Sequence, residues 1–546
     1  MPPPPAPPRS RGGILLVACA SALCTLPVWL TTFPPMVDYP QHLAMAAALR
    51  FWWDPARGFA ETYRLVWTAP QSLFEWLTAG AAFVLPITIA GKLVVALAVA
   101  AVGPAALAVT RRLGRPDWYA LLPLAMTLNY AYSWGFVGTL FAYPLFLAGL
   151  VAADRLLDRL NIPGSRFGPG AWLSLAFLTL AFYLVHLQLL LLFAAAVAWL
   201  VAVRRPGLRR ALAPLSALLP GVLVVLAVVL LPNLLSLETS FSPYEQRMKA
   251  VGTLWLPLGL KLYILPGLVF GPRRDLADGV LAGLVGVLAL VVAAGRSREE
   301  DDQVREGAGG RVGRELSGAF AAVAVGLFAL YLILPERLMG YLVAKRLAPL
   351  AAMLLVLCLP PPSPARARIV KFLAAALLVL HLGLAASDAA AFERDAAGLA
   401  DLLRHTGPGH ALAGLVYDPF PPAADPVLLR YQVYAHFPAF YQALRGGRVL
   451  FSFAELSHSV VQYRARPWAS DLVARVADHN PRAFSLPQDG PQFDYLLARG
   501  EVPEVLAALG PAVSAWEIRS AGRWHLLRRP PGAPPEARLR GRPLAH

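Results

Sequence analysis

Charged residues are scarce in this chain of 546 residues. Only 15% of the residues are Asp, Glu, Lys or Arg, whereas 57% are hydrophobic. Soluble globular proteins carry about 25% charged residues, so the composition excludes an ordinary water-soluble enzyme of this length. Long apolar runs recur between residues 14 and 391, and about 20 such residues cross a bilayer as a helix. The sequence therefore predicts a polytopic membrane protein.

Cysteine is also scarce. Cys19, Cys24 and Cys358 all lie in apolar runs, and no cysteine follows residue 391. This excludes a disulfide framework or a cysteine metal site in the C-terminal segment. The chain also lacks a phosphate-binding glycine-rich loop, zinc-ligand spacing, a nucleophile elbow and a dinucleotide fingerprint. Cytoplasmic nucleotide chemistry has no support, so any energy would have to arrive with an activated lipid.

Lysine accounts for only five of the 49 basic residues, although the net charge is +16. From residue 392 onward, 17 basic residues are nearly balanced by 14 acidic ones. Most of the excess therefore lies in residues 1–391, in short clusters between the apolar runs. Such clusters are typical of the cytoplasmic loops of membrane proteins. We interpret the charge as a topology signal and expect no nucleic-acid partner.

The apolar runs predict eleven to thirteen membrane-spanning helices, beginning with a retained helix at 14–33. If the basic clusters face the cytoplasm, three pairs of runs form hairpins with outward tips, and the segment 232–277 lies outside. The pairs are 119–137 with 139–153, 171–186 with 187–203, and 317–334 with 347–360. The region 14–110 conflicts with this map, because its three runs cannot join two cytoplasmic ends. Either 73–110 contains a re-entrant piece or one basic cluster breaks the rule.

The chain divides into three parts. Residues 1–391 form the membrane domain, which includes an outer loop at 34–72, and residues 392–530 form a small extracytoplasmic α/β domain. The tail 531–546 is rich in Pro and Arg and is predicted to be disordered. Within the second part, FERDAAGLADLLRHTG predicts a helix that ends at a glycine, and ALAGLVYDP, QFDYLLARG and WHLLRR predict strands. The fold class is mainly α, a transmembrane helix bundle with this small domain attached.

The outer loop contains the first group of candidate functional residues. Asp38 and His42 are four residues apart, so on a helix they share a face. They suit a carboxylate-oriented base, a metal-ligand pair or only a helix start. Glu75 lies at the mouth of the next apolar run, where a carboxylate is costly unless it is paired or solvated. The loop's aromatic residues are typical of a membrane-interface belt; they are Phe51, Trp52, Trp53, Tyr63 and Trp67.

Three further groups are predicted on the same side. The aromatic stretch Asn129–Pro144 is expected to anchor a hairpin tip at the membrane interface. His186 and Gln188 lie between two apolar runs, where a histidine either packs against a backbone partner or faces a functional cavity. Lys345 and Arg346 follow an outer loop that contains Glu336. They suit a phosphate-bearing ligand, or they form an ion pair with Glu336.

These features resemble the GT-C superfamily of membrane glycosyltransferases, which includes lipid A aminoarabinose transferases and protein O-mannosyltransferases. The resemblance rests on Asp38 in VDYPQHLA, an apolar run that opens at QSLFEWL, a late KRLAPL and a C-terminal extracytoplasmic domain. It covers nearly the whole chain. Those enzymes carry an acidic pair in the outer loop, whereas Tyr39 and Pro40 follow Asp38 here. Either His42 replaces the second acid, or Glu61 or Glu75 supplies it, or the chain keeps the scaffold without the activity.

The resemblance implies transfer of a sugar from a polyprenyl-phosphate donor to a lipid, glycan or protein acceptor at the outer face of the plasma (inner) membrane. Asp38 would be the base, with His42 beside it, and Lys345 and Arg346 would hold the lipid phosphate. The segment 236–249 would help to cover the donor. A divalent metal assists some relatives, but two ligands do not make a metal site, so we assign none. The remaining candidate substrate-binding residues are Glu61, Glu75, His186 and Gln188.

Two other functions stay open. A transporter or lipid flippase would place its polar residues near the bilayer midplane, often between repeated halves, and this sequence shows no such symmetry. A non-catalytic, membrane-anchored assembly protein would carry a polar pocket in its C-terminal domain. The candidates for that pocket, which could equally dock on the membrane domain, are Tyr431, Tyr434, His436, Tyr441 and His458.

Overall fold

The computed structural model is mainly helical and describes most of the chain. The described residues are 11–161, 167–230, 242, 245–246, 250, 252–273, 277–293, 308–338, 341–422, 431–465, 467–468, 472–476 and 480–530. The predicted disordered tail 531–546 lies outside them. Of the segment predicted to cover the donor, only residues 242, 245 and 246 are described.

Among the described residues, six helices are long and apolar enough to cross a membrane. They are Arg11–Trp29, Ile87–Arg112, Val137–Leu157, Leu187–Arg204, Leu316–Ile333 and Pro364–Asp395. A pair bent by 49°, Leu208–Ser216 with Leu219–Val228, also meets these criteria, and four shorter apolar helices are Pro169–Val185, Leu258–Phe270, Ala277–Ala293 and Leu347–Cys358. The prediction of a multi-pass helical protein is confirmed. The number of eleven to thirteen spans stays a prediction, because the short helices fall below the ~20 residues of a perpendicular crossing.

The region 73–110 contains one long helix rather than the two predicted spans. Helix Leu73–Ala81 has nine residues, too few to cross a bilayer. Pro86 then sits at the N-cap of the next helix, where proline is tolerated and the residue before it is kept out of the helical conformation. The following 26 residues, Ile87–Arg112, form a single span. The region 14–110 thus contains two membrane-spanning helices instead of three. An even number of spans can join two cytoplasmic ends, so the conflict with the charge pattern is resolved.

The predicted span 119–137 is wrong. In its place are three short pieces, the 3-10 helix Asp117–Ala120 and the helices Leu121–Leu124 and Tyr130–Trp134. One end lies against Gly13 in the first helix, and the other bonds to the backbone of Val37 and Asp38 just after that helix. Nearly all of its side chains are buried. Irregular backbone at membrane depth is tolerated only where protein surrounds it, which explains why this segment need not be a helix.

Two predicted hairpins are confirmed as helix pairs. Pro169–Val185 and Leu187–Arg204 meet at His186, whose extended backbone (φ −167°, ψ 111°) separates them. Ala308–Ile333 packs on Leu347–Cys358. The connection between them carries the short antiparallel strands β2 (Arg337–Leu338) and β3 (Tyr341–Leu342). The helix Leu258–Phe270 was not among the predicted apolar runs, and it lies in the segment 232–277, which was expected to lie outside the membrane.

The C-terminal domain is built on a five-stranded mixed sheet in the order β5-β4-β7-β9-β8. Its strands are β4 (Ala411–Val416), β5 (Arg448–Val449), β7 (Tyr495–Arg499), β8 (Glu517–Ala521) and β9 (Trp524–Arg528). All three predicted strands are confirmed, as β4, β7 and β9. The α-helices among its described residues are Leu399–Arg404, Ala439–Arg445, Leu472–Val476, Leu486–Asp489 and Val502–Leu509.

The entry into this domain differs from the prediction in two ways. The last membrane helix continues to Asp395, beyond the boundary placed at residue 391. The helix predicted over 392–407 is interrupted at Gly398, whose φ of +93° is left-handed and ends the helical path before Leu399–Arg404 begins. Glycine is the residue that adopts this conformation without strain. The domain therefore begins after Asp395 and turns sharply there.

The outer loop is paired directly with the C-terminal domain. Strand β1 (Tyr63–Leu65) is antiparallel to β6 (Val461–Tyr463), and the rings of Tyr63 and Tyr463 stack with centroids 4.9 Å apart. The Tyr63 hydroxyl accepts a hydrogen bond from Gln442 at 2.8 Å and lies 3.3 Å from the Gly447 carbonyl oxygen. Burial raises the pKa of Tyr63, so this hydroxyl stays protonated and can donate. The loop and the domain therefore lie on one side of the molecule.

Candidate active site

Two polar residues at the start of the helix Tyr39–Arg50, the N-cap Asp38 and His42, are partly exposed. From Met36 to Ala48 every residue is buried except Asp38 and His42, which are partly exposed. Pro40 lies in the first turn, where its missing N–H costs nothing. Asp38 stands at the N-cap, but its side chain makes no capping bond. Asp38 therefore does not cap the helix with its side chain, and its carbonyl oxygen accepts a hydrogen bond from the N–H of His42 at 3.1 Å, so the two residues are one helical turn apart.

The backbone of Asp38 is fixed by the broken segment before Val137. Its N–H donates to the Trp134 carbonyl oxygen at 2.9 Å, and the Val37 N–H donates to Ser133 at 3.1 Å. Gly135 lies against this backbone with a φ of +80°, and a Cβ there would be 2.8 Å from the Asp38 nitrogen. Only glycine fits such a position without strain. The backbone of Asp38 is therefore held in place by a segment about 100 residues further along the chain.

The carboxylate of Asp38 is paired with the C-terminal domain and not with His42. Its Oδ1 lies 3.1 Å from Nδ1 of His436. The His436 ring packs between Phe451 and Phe453, with centroid distances of 5.2 and 5.7 Å. The side chains of Asp38 and His42 therefore do not pair directly in the structure. The two predictions that needed such a pair were a base oriented by a carboxylate and two ligands of one metal. His436 was named only as a pocket candidate, and its partner lies at the other end of the chain.

His42 is paired with Glu75. Nδ1 of His42 is 2.6 Å from Oε1 of Glu75, and Glu75 is buried in helix Leu73–Ala81. The His42 ring meets the rings of Phe74 and Phe453 edge to face. The cost expected for a carboxylate at this depth is thereby offset by a partner. Glu61, in contrast, is exposed on helix Phe59–Thr62 and forms no ion pair within the described ranges, so the structure does not bring it into this group.

Arg346 is joined to His186. Its Nη1 is 2.8 Å from Nε2 of His186, and its guanidinium lies over the Phe136 ring at 3.9 Å. Because a guanidinium can only donate, Nε2 of His186 must be unprotonated, so the imidazole is neutral. Arg346 has no ion-pair partner in the part of the chain that the structure describes. Its charge interacts with Asp38 and Tyr130 through space.

Lys345 and Gln188 both have partners within the protein. Nζ of Lys345 is 2.8 Å from Oε1 of Glu336, and both side chains are buried. The ion pair considered from the sequence is therefore formed by Lys345 and not by Arg346. Gln188 donates from Nε2 to the Val343 carbonyl oxygen at 3.1 Å. Both residues hold the segment before Leu347 in place, whereas the Arg346 guanidinium, unlike Lys345, has no ion-pair partner among the described residues.

Tyr130 lies at the centre of these groups. It is 1% exposed, and its hydroxyl has no hydrogen-bond partner in the residues described. The hydroxyl interacts electrostatically with Glu336, Arg346 and Asp38. The expectation that the Asn129–Pro144 aromatics form an interface belt is therefore wrong for Tyr130. Asn129, which caps the helix Tyr130–Trp134 with its side chain, and Gly135 were the sequence signals of a buried turn.

A solved structure shares this architecture. The structure of ArnT from Cupriavidus metallidurans bound to undecaprenyl phosphate aligns over 95% of this chain and 98% of that chain, with 14% identity and a TM-score of 0.53. The chain has the ArnT fold. The apo ArnT structure aligns over 94% and 97% of the two chains at 14% identity, with a TM-score of 0.49. No family model and no curated protein matches the chain.

The predicted GT-C resemblance is thus confirmed at the level of the fold. Within this ArnT-like fold, the outer loop, the segment before Val137, the start of helix Leu347–Cys358 and the C-terminal domain converge around Asp38. Across the described ranges, no three His, Cys, Asp or Glu side chains lie close enough to hold a metal ion. The divalent metal considered from the sequence therefore has no fitting set of ligands there.

Proposed function

We propose that this protein is a membrane glycosyltransferase that moves a sugar from a polyprenyl-phosphate donor to an acceptor at the outer face of the plasma membrane. The observation that carries the proposal is Arg346, a largely enclosed guanidinium that has no ion-pair partner among the described residues and whose charge interacts with Asp38 through space. A charge in such a place is costly unless a ligand compensates it. ArnT, whose fold the chain shares, was solved with undecaprenyl phosphate bound.

Arg346 suits the phosphate of the donor. His186 takes one of its N–H groups, and Nε and Nη2 have no acceptor among the described residues. A guanidinium with free N–H groups matches phosphate oxygens in a bidentate fork. The neutral His186 orients Arg346 without adding a competing charge. Lys345 is neutralised by Glu336, so it shapes the site and we assign it no direct contact with phosphate.

Asp38 suits the role of base. The acceptor hydroxyl oxygen bonds to the anomeric carbon while Asp38 removes its proton, and the bond from that carbon to the phosphate oxygen breaks. The electrons of that bond leave on the lipid phosphate, whose added charge Arg346 stabilises. His436 pairs with Asp38 and His186 with Arg346, so each charged group has a partner that can orient it. The convergence of Asp38, His186 and Arg346 supports an enzyme over a carrier, whose groups would line a path across the membrane.

The outer-face assignment rests on the predicted charge pattern and on the pairing of β1 with β6. That pairing places the outer loop and the C-terminal domain on one side. Glu245 extends the contact, because its Oε1 accepts from the N–H of Ser457 at 2.8 Å and from its hydroxyl at 2.9 Å. A domain on the outer side can meet an envelope acceptor that never enters the cytoplasm.

The proposal is tested in the cells that make the protein. Strains lacking it are complemented with wild type, Asp38→Asn, Arg346→Ala or the exposed control Glu61→Gln, and mass spectrometry compares their envelope glycans and glycolipids. We expect one sugar substituent to vanish in the deletion strain, to return with wild type and with Glu61→Gln, and to stay absent with Asp38→Asn and Arg346→Ala. Identical glycans in the deletion and wild-type strains would overturn the proposal.

A further inference from the structure

The Glu75–His42 pair is a second carboxylate–imidazole unit one helical turn from Asp38, and His42 and Asp38 are both partly open to the solvent space beside this turn. Asp38 and His42 are the partly exposed residues of an otherwise buried stretch. Residues four apart on a helix have Cβ atoms about 5–6 Å from each other. A single small ligand in this space can therefore touch both side chains.

The pair fixes which atom His42 offers to that ligand. A buried carboxylate accepts hydrogen bonds, so Nδ1 of His42 donates its proton to Oε1 of Glu75 across 2.6 Å. In the neutral ring, Nε2 then carries a lone pair. Nε2 has no partner in the described parts of the chain, and the rings of Phe74 and Phe453 limit how far the imidazole can rotate. This is the arrangement in which a carboxylate sets the tautomer of a working histidine.

The outer-loop side of the space thus presents two hydrogen-bond acceptors, Asp38 and His42, to a ligand. Phosphate has only acceptor oxygens when ionised, so it is disfavoured here and favoured at Arg346. A ligand with two neighbouring O–H donors satisfies both groups at once. A serine or threonine side chain, a monohydric lipid alcohol or a phosphate offers at most one such donor, whereas a sugar ring offers adjacent hydroxyls.

We infer that the acceptor is a sugar with vicinal hydroxyls, one of which Asp38 deprotonates while the other donates a hydrogen bond to Nε2 of His42. The inference rests on the proposed function and narrows its acceptor to a glycan. His42 only accepts a hydrogen bond from the acceptor sugar. The proton lost in the transfer reaction goes to Asp38 and not to His42. Glu75 is a positioning residue that acts through His42, which explains how the chain does without the second acid next to Asp38.

The first experiment examines the acceptor chemically. Envelope material from cells lacking the protein serves as acceptor for the purified full-length protein in nanodiscs, with lipid-linked sugars extracted from the same cells as donor. Part of the acceptor is treated with periodate, which cleaves vicinal diols, and part with protease. We expect periodate to abolish acceptor activity and protease to spare it. Transfer to periodate-treated material would overturn the inference and leave the proposed function intact, whereas no transfer by wild type to any material would contradict the proposed function itself.

The second experiment examines the two residues. His42→Phe and Glu75→Gln are compared with Glu61→Gln, an exposed carboxylate of the same loop. Losing one hydrogen bond should raise the acceptor KM about 10-fold or more in both test variants, with undecaprenyl phosphate binding unchanged. Glu75→Gln keeps the volume of the side chain but can donate to Nδ1, which moves the imidazole proton to Nε2. An unchanged acceptor KM in folded Glu75→Gln, or an equal loss of undecaprenyl phosphate binding, would refute the role of the pair.

Discussion

Asp38 on the outer loop lies 3.1 Å from His436 of the C-terminal domain, measured from Oδ1 to Nδ1. The two residues are at opposite ends of the chain, yet each is fixed by its own surroundings. Val37 and Asp38 bond to the Ser133–Trp134 backbone, and the rings of Phe451 and Phe453 flank His436. Gln41 joins the two parts further, because its amide bonds to the backbone of Phe451 and Phe453. The C-terminal domain therefore completes the site.

Replacement of His436 should impair transfer without weakening lipid-phosphate binding. In His436→Phe the carboxylate of Asp38 loses its partner and its fixed orientation, and we expect kcat to fall about 10-fold to 100-fold. Transfer kinetics and undecaprenyl phosphate binding are measured on the same preparations. The control is His405→Gln, an exposed histidine of the same domain. Equal transfer by both variants would show that His436 has no part in positioning Asp38.

Arg346 and Lys345 should respond differently to substitution, although they are neighbours. Arg346→Ala should weaken binding of undecaprenyl phosphate about 10-fold to 100-fold, because charge-assisted hydrogen bonds are lost. Lys345→Ala leaves Glu336 buried and unpaired, so it should lower the free energy of unfolding by about 3–5 kcal/mol. Native mass spectrometry with the lipid and thermal unfolding separate the two effects. Matching behaviour in both assays would contradict the assignment.

Gly135 should not tolerate a side chain. Gly135→Ala would place a Cβ 2.8 Å from the Asp38 nitrogen at a φ of +80°, at a cost of about 1–3 kcal/mol and with displacement of Asp38. We expect lower stability and little transfer. Gly286→Ala is the control, since Gly286 lies in helix Ala277–Ala293 with open space around it. If both variants keep full stability and transfer, the contact that fixes Asp38 is unimportant.

Arg499 should be required to seat the C-terminal domain on the last membrane helix. It is fully buried, forms ion pairs with Asp395 and Asp418, and lies over the Tyr434 ring at 3.7 Å. In the described structure, Arg499→Met leaves the largely buried Asp395 with only the Tyr434 hydroxyl, and Asp418 with only Arg523 as an ion-pair partner. We therefore expect a loss of about 3–5 kcal/mol, read from thermal unfolding and from protease cleavage after residue 395. The exposed Arg519→Met serves for comparison, and an equal effect of the two substitutions would argue against this role.

Much of the fold could be predicted because its signals are local. Apolar runs and prolines predicted most of the membrane helices, His186 marked a real break, and three strands were found from short apolar stretches between turn residues. The broken segment 117–134 was missed for a physical reason. Its side chains are apolar whether they face lipid or protein, so hydropathy alone cannot distinguish a lipid-facing helix from a buried irregular chain. Asn129 and Gly135 carried the only contrary signal.

The site was predictable in its members but not in its pairings. Asp38, His42, Glu75, His186 and Arg346 were all named from their positions beside apolar runs, where ionisable groups are costly. Their partners depend on packing between segments far apart in sequence. Asp38 therefore pairs with His436 and not with His42. His42 pairs with Glu75, and Lys345 pairs with Glu336. Glu61, equally acidic and in the same loop, stayed exposed because the helix Phe59–Thr62 turns it outward.

The most direct test of the central claim compares purified wild type with Asp38→Asn for two properties, binding of undecaprenyl phosphate and transfer of the sugar to acceptor from cells lacking the protein. If Arg346 holds the phosphate and Asp38 removes the proton, as we propose, Asp38→Asn should bind the lipid as wild type does and transfer at least about 100-fold more slowly. Transfer by Asp38→Asn at the wild-type rate would contradict the account.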